Sequence, residues 1–339
     1  MMPSYEVRPL ERHELDSWDH FVGLSRQGSI FHTSMWCEAI QGAYAPARPV
    51  VLGCFDDRDL VGGCVFLERE RLGQRTAVTP LLAPYCGFVL DNPVGEKISD
   101  AVSHEHAVLG ALSSYLMENY SYINLVLAPH LQDIRPLQQA GYQITPRFTY
   151  QLNLRLSPDE HWLRFEGSAR RQIKKAEREP FELSARLPAA QAYRLFEATF
   201  QRRGETCPVS PELFRAVLEH KALESCRDII AAWQGERLAG YIILLRFNRS
   251  VYYAIAANDA DYLPSGVSSL LVWEVVKRYT GTEWDTFDFV GANTPTIARF
   301  KENFNPRLQL YFQVERYGSV LLKLGKEMLD RFRSEGLPT

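Results

Sequence analysis

The sequence lacks most of the signatures that mark common catalytic and structural classes. Six cysteines, Cys37, Cys54, Cys64, Cys86, Cys207 and Cys226, lie scattered through 339 residues with no CxxC pair, which argues against both a disulfide framework and a zinc site and points to reduced thiols. No stretch approaches the roughly 18 apolar residues of a spanning helix. Met1 to Leu10 holds Glu6 and Arg8 and no apolar core, unlike a secretory signal, so a cytoplasmic protein without a transmembrane segment is expected. An excess of basic charge is also missing. Lys and Arg number 38 against 41 Asp and Glu, giving a net charge of −3 and a pI near 6.3, which removes DNA as a partner and restricts any RNA contact to a local patch. There is no Gly-x-Ser-x-Gly elbow, no Walker loop and no GxGxxG, and His104-Glu105-His106 is not HExxH. Two histidines at i and i+2 on a helix face different ways, so no metal site is expected there.

What is present is an ordinary globular composition, 46% hydrophobic and 23% charged, in a chain long enough for two domains with their own cores. The first half reads as a strand at Tyr5 to Pro9, helices at Arg12 to Ser25 and Thr33 to Gly42, and a hairpin of Pro49 to Phe55 with Asp59 to Arg69 turned by Asp56-Asp57-Arg58. A strand follows Pro84, then a helix from Ser103 to Asn119, a buried strand at Tyr122 to Leu127 and a short helix from Ile134 to Ala140, capped by Gly141. The second half repeats this order. A strand at Tyr150 to Leu156 precedes a basic helix, and Ala189 to Arg203 and Pro211 to Glu219 read as further helices. Asp228 to Trp233 and Arg237 to Phe247 make a hairpin around Gln234-Gly235-Glu236, followed by a strand at Arg249 to Ala257, a helix at Val267 to Tyr279 and a buried strand at Asp285 to Val290. The pattern predicts an α/β tandem pseudo-repeat of mixed sheets flanked by helices, with domains at 1–148 and 149–339 and a cleft at their interface. Near the C-terminus, Ser319 to Gly336 places apolar residues on one helical face, which suits packing against the domain or a membrane surface.

Two segments stand out chemically. Gly167-Ser168-Ala169-Arg170-Arg171-Gln172-Ile173-Lys174-Lys175-Ala176 reads as a helix with Ser168 as N-cap and with Arg170 and Lys174 on one face, a surface suited to phosphate or simply a solvated basic face. The other runs from Phe287-Asp288-Phe289-Val290-Gly291-Ala292-Asn293 through a short helix to Phe300-Lys301-Glu302-Asn303-Phe304. With Phe31-His32-Thr33-Ser34-Met35-Trp36 and Ala83-Pro84-Tyr85-Cys86-Gly87, and with Tyr150 to Leu154 opening the second half, these segments resemble the Fem family of aminoacyl transferases. The BioF2-like acetyltransferases of the GNAT superfamily are similar too, although the long coiled-coil arm of the larger Fem proteins is missing.

The resemblance implies two adjacent parallel strands that splay and expose backbone to an acyl donor. It implies no tightly bound cofactor and a co-substrate that is either aminoacyl-tRNA, the favoured donor, or acyl-CoA. In GNAT enzymes the pyrophosphate of coenzyme A binds a Gly-rich loop; here the window is Leu263-Pro264-Ser265-Gly266-Val267-Ser268, with Gly266 retained, Leu263 in place of the polar first residue and Ser268 in place of the last small one. In the Fem reading Phe300 stacks on a terminal base and Lys301 meets a phosphate. Either donor leads to attack of an amine on an activated acyl carbon. Lys301 is then the candidate for oxyanion stabilisation, Asp259 for the base and Tyr253 (or Tyr252) for protonating the leaving group. Arg170, Lys174, Gly266, Phe300 and Asn293 are the substrate-binding candidates. The acceptor is an amine-bearing small molecule or a precursor of the bacterial cell envelope. The rivals are an acetyl-CoA-dependent N-acetyltransferase and, because of the degenerate loop at Gly266, a catalytically silent tandem scaffold.

Overall fold

Two tight hairpins set the frame, and the computed structural model describes them within residues 5–71, 73–92 and 97–319. The amphipathic segment read at Ser319 to Gly336 lies, but for Ser319, outside these residues. The strands are β1 (Glu6–Pro9), β2 (Arg48–Asp56), β3 (Asp59–Arg71), β4 (Gln74–Val78), β5 (Gly87–Leu90), β6 (Tyr122–Val126), β7 (Gln143–Asn153), β8 (Glu182–Ser184), β9 (Arg227–Gln234), β10 (Arg237–Phe247), β11 (Ser250–Asn258), β12 (Thr286–Asp288) and β13 (Arg307–Tyr317). The helices are α1 (Leu15–Leu24), α2 (Ser34–Gln41), α3 (Ile98–Asn119), α4 (Arg135–Gln139), α5 (Pro158–Arg164), α6 (Gly167–Ala176), α7 (Ala189–Gln201), α8 (Pro211–Glu219), α9 (Val267–Tyr279) and α10 (Pro295–Glu302). None is long and apolar enough to cross a membrane.

Turn chemistry explains the hairpins. Asp57 takes φ 53° between β2 and β3, Gly235 takes φ 56° between β9 and β10, and Asn248 and Arg249 both take positive φ between β10 and β11, the twist that tight hairpins need. Helix starts are equally local. Thr33 accepts from the Trp36 N–H at the start of α2, Ser210 accepts from Leu213 at α8, and Ser157 and Glu160 close a reciprocal capping box on α5. One cap differs from the expectation: α6 begins two residues early, with Glu166 at the N-cap, and the Ser168 hydroxyl instead donates to Asn303 Oδ1 at 2.9 Å.

All strands join one mixed sheet in the order β1-β2-β3-β4-β6-β13-β7-β12-β11-β10-β9-β8, with β5 also on β3. The expected order of hairpin, strand, helix and strand is present, with hairpin β9–β10, strand β11, helix α9 and parallel strand β12 in the second half; in the first half it is hairpin β2–β3, helix α3 and strand β6, but the strand parallel to β6 is β4, whereas the one expected after Pro84 is β5, antiparallel on β3. The halves exchange their last strands. β7, which follows the first half, pairs with β12 of the second; β13, which ends the second half, pairs with β6 of the first; and β7 and β13 pair with each other over residues 143–151 and 307–315. Strands β4, β8 and β13 carry no strand expectation from the sequence, and β7 runs through residue 148.

Burial follows this exchange. One core lies among the first-half elements and takes in Val314 from β13; another belongs to the second half around α9; the third is shared, packing Phe31, Trp36 and Tyr85 against Phe196, Phe214, Tyr241 and Tyr311. Because β13 feeds the first core while belonging to the second half, the halves should unfold together. Val314→Ala is expected to cost about 2 kcal/mol and to shift a single urea transition seen by both fluorescence and far-UV dichroism. Two separated transitions, only one of them moved, would contradict a shared fold.

Candidate active site

The parallel strands β11 and β12 pair only from Ser250–Thr286 to Tyr252–Asp288. Beyond that rung they part. On β11 an extra residue, Ala254, interrupts the ladder with β10, since Ile243 faces Ile255 while Leu244 faces Tyr253; such a bulge bends the strand. On β12 the chain leaves the sheet through Val290 and Gly291, both left-handed with φ 55° and 79°. The Lys301 ammonium holds that departure: it donates to the carbonyls of Phe289 (2.7 Å), Val290 (3.1 Å) and Gly291 (2.5 Å) from α10. The resulting fork is a cavity of about 640 Å³, walled by Tyr253, Ala256 and Asn258 of β11, Phe196 of α7, Ser268 of α9 and Phe300 of α10, with Arg202 and Arg203 at its rim. The splay expected from the resemblance is thus present, with the β11 edge from Tyr253 onward left without a strand partner among the described residues.

The equivalent fork in the first half is filled by its own chain. Past Val78 the Thr79 N–H donates to the Asn124 carbonyl, its hydroxyl accepts from the Val126 N–H, and the Cys86 N–H donates to the Val126 carbonyl at 2.7 Å. Only the second-half fork leaves strand edge for a ligand among the described residues.

Tyr253, Phe300 and Lys301 meet in the open fork. Tyr253 packs on Phe287 and Phe289 and lies under the Lys301 ammonium at 5.8 Å. Burial pushes its phenol well above the usual range, which keeps it neutral and able to donate. Phe300 meets Phe304 edge-on. Lys301 is nearly buried, and desolvation lowers its ammonium to about 8, partly offset by the attraction of Asp288. Its three N–H donors are all taken by carbonyls, so its charge reaches the fork as a field and not as a free hydrogen bond.

The other sequence candidates lie elsewhere. Asp259 accepts from the Asp261 N–H as the cap of a short 3-10 turn and is bound by Arg237 at 2.8 and 3.0 Å, outside the fork; the geometry is that of a turn former. Gly266 takes φ 87°, and a Cβ there would overlap the Gln172 carbonyl, so its glycine is required by the contact of α6 with the start of α9. Asn293 brackets Phe148, accepting from its N–H at 2.9 Å and donating to its carbonyl and to the Tyr311 hydroxyl. Arg170 and Lys174 lie outside the fork lining, Lys174 over the Trp162 ring at 5.8 Å.

Asp288 carries no assigned role in the sequence pattern, yet it lies on the last rung before the fork. Its buried carboxylate accepts from the Thr149 hydroxyl (2.7 Å) and the Val290 N–H (2.8 Å) on one oxygen and from the Tyr85 hydroxyl and Gln151 amide (both 3.0 Å) on the other. The available signal was a lone charge inside the apolar run Phe287-Asp288-Phe289, since carboxylates are seldom fully buried without a purpose.

The low Lys301 value has a measurable sign. Because its folded value lies below the ordinary 10.5, the relative stability it contributes is fully present above about 10.5 and is lost as pH falls through about 8. A carbon-13 titration of the lysine side chains should find one resonance with a midpoint near 8 that disappears in Lys301→Arg; a set of lysines all titrating near 10.5 would contradict the buried placement.

The comparisons agree with this geometry. Residues 164–302 match the family model described as an acetyltransferase (GNAT) domain. No curated protein matches the sequence. Among solved structures, FemX superposes with a TM-score of 0.64 at 12% identity, over 91% of this chain and 96% of its own. A tandem GNAT protein from the clavulanic acid biosynthesis pathway gives 0.53 at 13% identity, over 93% and 99% of the two chains. L-PGS from Bacillus licheniformis gives 0.53 at 9% identity, over 93% and 95%. Residues 164–302 thus carry the match to an acetyltransferase (GNAT) domain, and the chain as a whole shares the tandem fold of FemX and of the tandem GNAT protein.

Proposed function

We propose that the chain transfers an acyl group from acyl-CoA, lying in the open fork of β11 and β12, to an amine. The observation that carries this reading is the unpaired β11 edge beyond Tyr252. Backbone groups there are available to an extended pantetheine arm much as they are to an added strand. The rim supports it as well: Arg202 and Arg203 and the start of α9 give the phosphates positive charge and helix N–H groups. In the reaction the neutral amine attacks the thioester carbonyl, the C–S bond breaks, the leaving thiolate takes a proton from the Tyr253 phenol, and the proton that the nitrogen sheds on becoming an amide returns to that phenol through water. The Lys301 charge, fixed behind the strand end, favours the oxyanion without reorganising.

A second reading keeps aminoacyl-tRNA as donor. It is favoured by Phe300, whose ring forms part of the fork wall where a terminal base can stack. The acceptor in that case is an amine of a cell-envelope precursor.

Calorimetry with acetyl-CoA and with deacylated tRNA, each at two salt concentrations, separates the readings. Saturable acetyl-CoA binding is expected, and Ser268→Asp should weaken it about tenfold while leaving thermal stability unchanged, since an acidic residue in the first turn of α9 suits the helix but repels phosphate. Salt-sensitive tRNA binding without acetyl-CoA binding would establish the second reading, and binding of neither would return the scaffold. For turnover, Tyr253→Phe keeps the ring packing and removes the proton, so kcat should fall about 10²-fold with little change in donor affinity.

A further inference from the structure

A second cavity, of about 250 Å³, opens against the same strands from the side of the shared core. It is lined by Arg26 and His130 of the first half, Gln151 of β7, Ser250 and Tyr252 of β11, and Asp288 of β12. Tyr252 and Asp288 form the last rung before the fork, and the next residue of β11, Tyr253, lines the fork itself. The two cavities therefore flank the end of the β11–β12 ladder from opposite faces of the sheet, beside the place where the acyl carbon would lie in the reading above, on which this inference rests.

The cavity is electrically ordered. At its base is the Asp288 carboxylate, buried, whose two oxygens accept from four neutral donors and, among the described residues, from no cation, so its charge reaches the cavity as a field. At its first-half wall is Arg26, which has no carboxylate partner among the described residues. Desolvation pushes the neighbouring His130 imidazole down, toward its neutral form, against the opposing pull of Asp288 and with a smaller push from Arg26, so Arg26 is the full cation of the lining. The loop carrying Arg26 is held in place. Its own N–H donates to Asn92 Oδ1, the Asn92 amide returns to the Leu24 carbonyl, and Gln27 accepts from both the Ser25 hydroxyl and the Leu90 N–H. Gly28 lies so close to Val22 that a Cβ would overlap its carbonyl. A wall fixed in this way can select a ligand without the entropy cost of ordering it.

We infer that this cavity is the acceptor site, and that the acceptor is a zwitterion: a primary amine aimed at Asp288 and the fork, with an anionic group a few bonds away facing Arg26. An amine alone would answer the negative charge at the base of the cavity and leave the arginine unanswered; an anion alone would face the buried carboxylate. At about 30 Å³ per water the cavity holds roughly eight waters, the size of a free amino acid or of the amino-acid end of a larger molecule. The anion is a carboxylate or a phosphate, since a guanidinium pairs with either.

The test uses the whole protein and defined probes. Glycine, L-alanine and 2-aminoethyl phosphate are titrated by calorimetry beside ethylamine and acetate. The same amines are then offered with acetyl-CoA while free thiol is followed. Zwitterions are expected to bind at least tenfold more tightly than ethylamine, and Arg26→Gln, at the surface, should erase that preference; preference for the amino acids or for the aminoalkyl phosphate identifies the anion. Equal affinity for ethylamine and the zwitterions, or no binding by any probe, overturns the inference. Thiol release with ethylamine as fast as with the zwitterions would also overturn it while leaving acyl-CoA transfer intact. Arg26-dependent zwitterion binding with no thiol release would instead uphold the acceptor site and count against acetyl-CoA as donor.

Discussion

The architecture of the site depends on one buried ammonium. Lys301 draws three successive carbonyls of the Phe289–Gly291 turn toward α10, and those carbonyls are the ones that would otherwise have continued β12 alongside β11. A cation buried this deeply is costly; here the carbonyl cluster and the nearby Asp288 charge offset part of the cost. With β12 pulled away on one side and β11 bent by the Ala254 bulge on the other, the sheet has to open at a fixed point. Asp288 stands on one side of that point and Lys301 on the other, so opposite charges flank the place where an amine and a carbonyl would meet. A developing ammonium and a developing oxyanion are the charges such a pair favours.

The duplication has not produced two equivalent sites. Both halves carry the same order of hairpin, strand, helix and parallel strand, but the first half closes its fork with Thr79 and Cys86, whereas the second leaves its edge bare. The first half contributes instead a wall. Tyr85 reaches across the shared core to the Asp288 carboxylate, its ring edge-on to Tyr311 at 5.3 Å, and the Arg26 loop and His130 line the second cavity. One copy has kept the opening while the other closes around it.

Much of this was legible in the sequence where the determinants are local. Turn residues placed both hairpins, the apolar run Val267 to Tyr279 gave α9 to the residue, and Pro211 gave the start of α8. The pseudo-repeat followed from the order of these pieces. Strand β13 escaped because Arg307 to Tyr317 earns its place only by pairing with β6 and β7, more than 150 residues away in sequence, and nothing local announces a partner. Asp259 was taken for a base because its position at a strand end is the same for a catalyst and a cap; the deciding feature, Arg237 across the hairpin, is tertiary. Lys301 was found by its motif, but that its donors are spent on carbonyls is visible only once β12 and α10 are brought together. Arg26 sits in a loop with no pattern at all.

The exchange of final strands also fixes when the protein can be made whole. A nascent chain that has reached residue 306 holds the first half's hairpins, β6 and α3, and most of the second half, yet β6 still presents an unpaired edge and the core around Val314 is unfilled. Pairing of such high sequence separation is slow and leaves strand edges open to other chains while it is awaited. Ribosomal synthesis from the N-terminus therefore cannot deliver a finished first half to guide the second; completion of either waits for the strand that comes last, and the interval before its arrival is when the chain most needs protection from its neighbours.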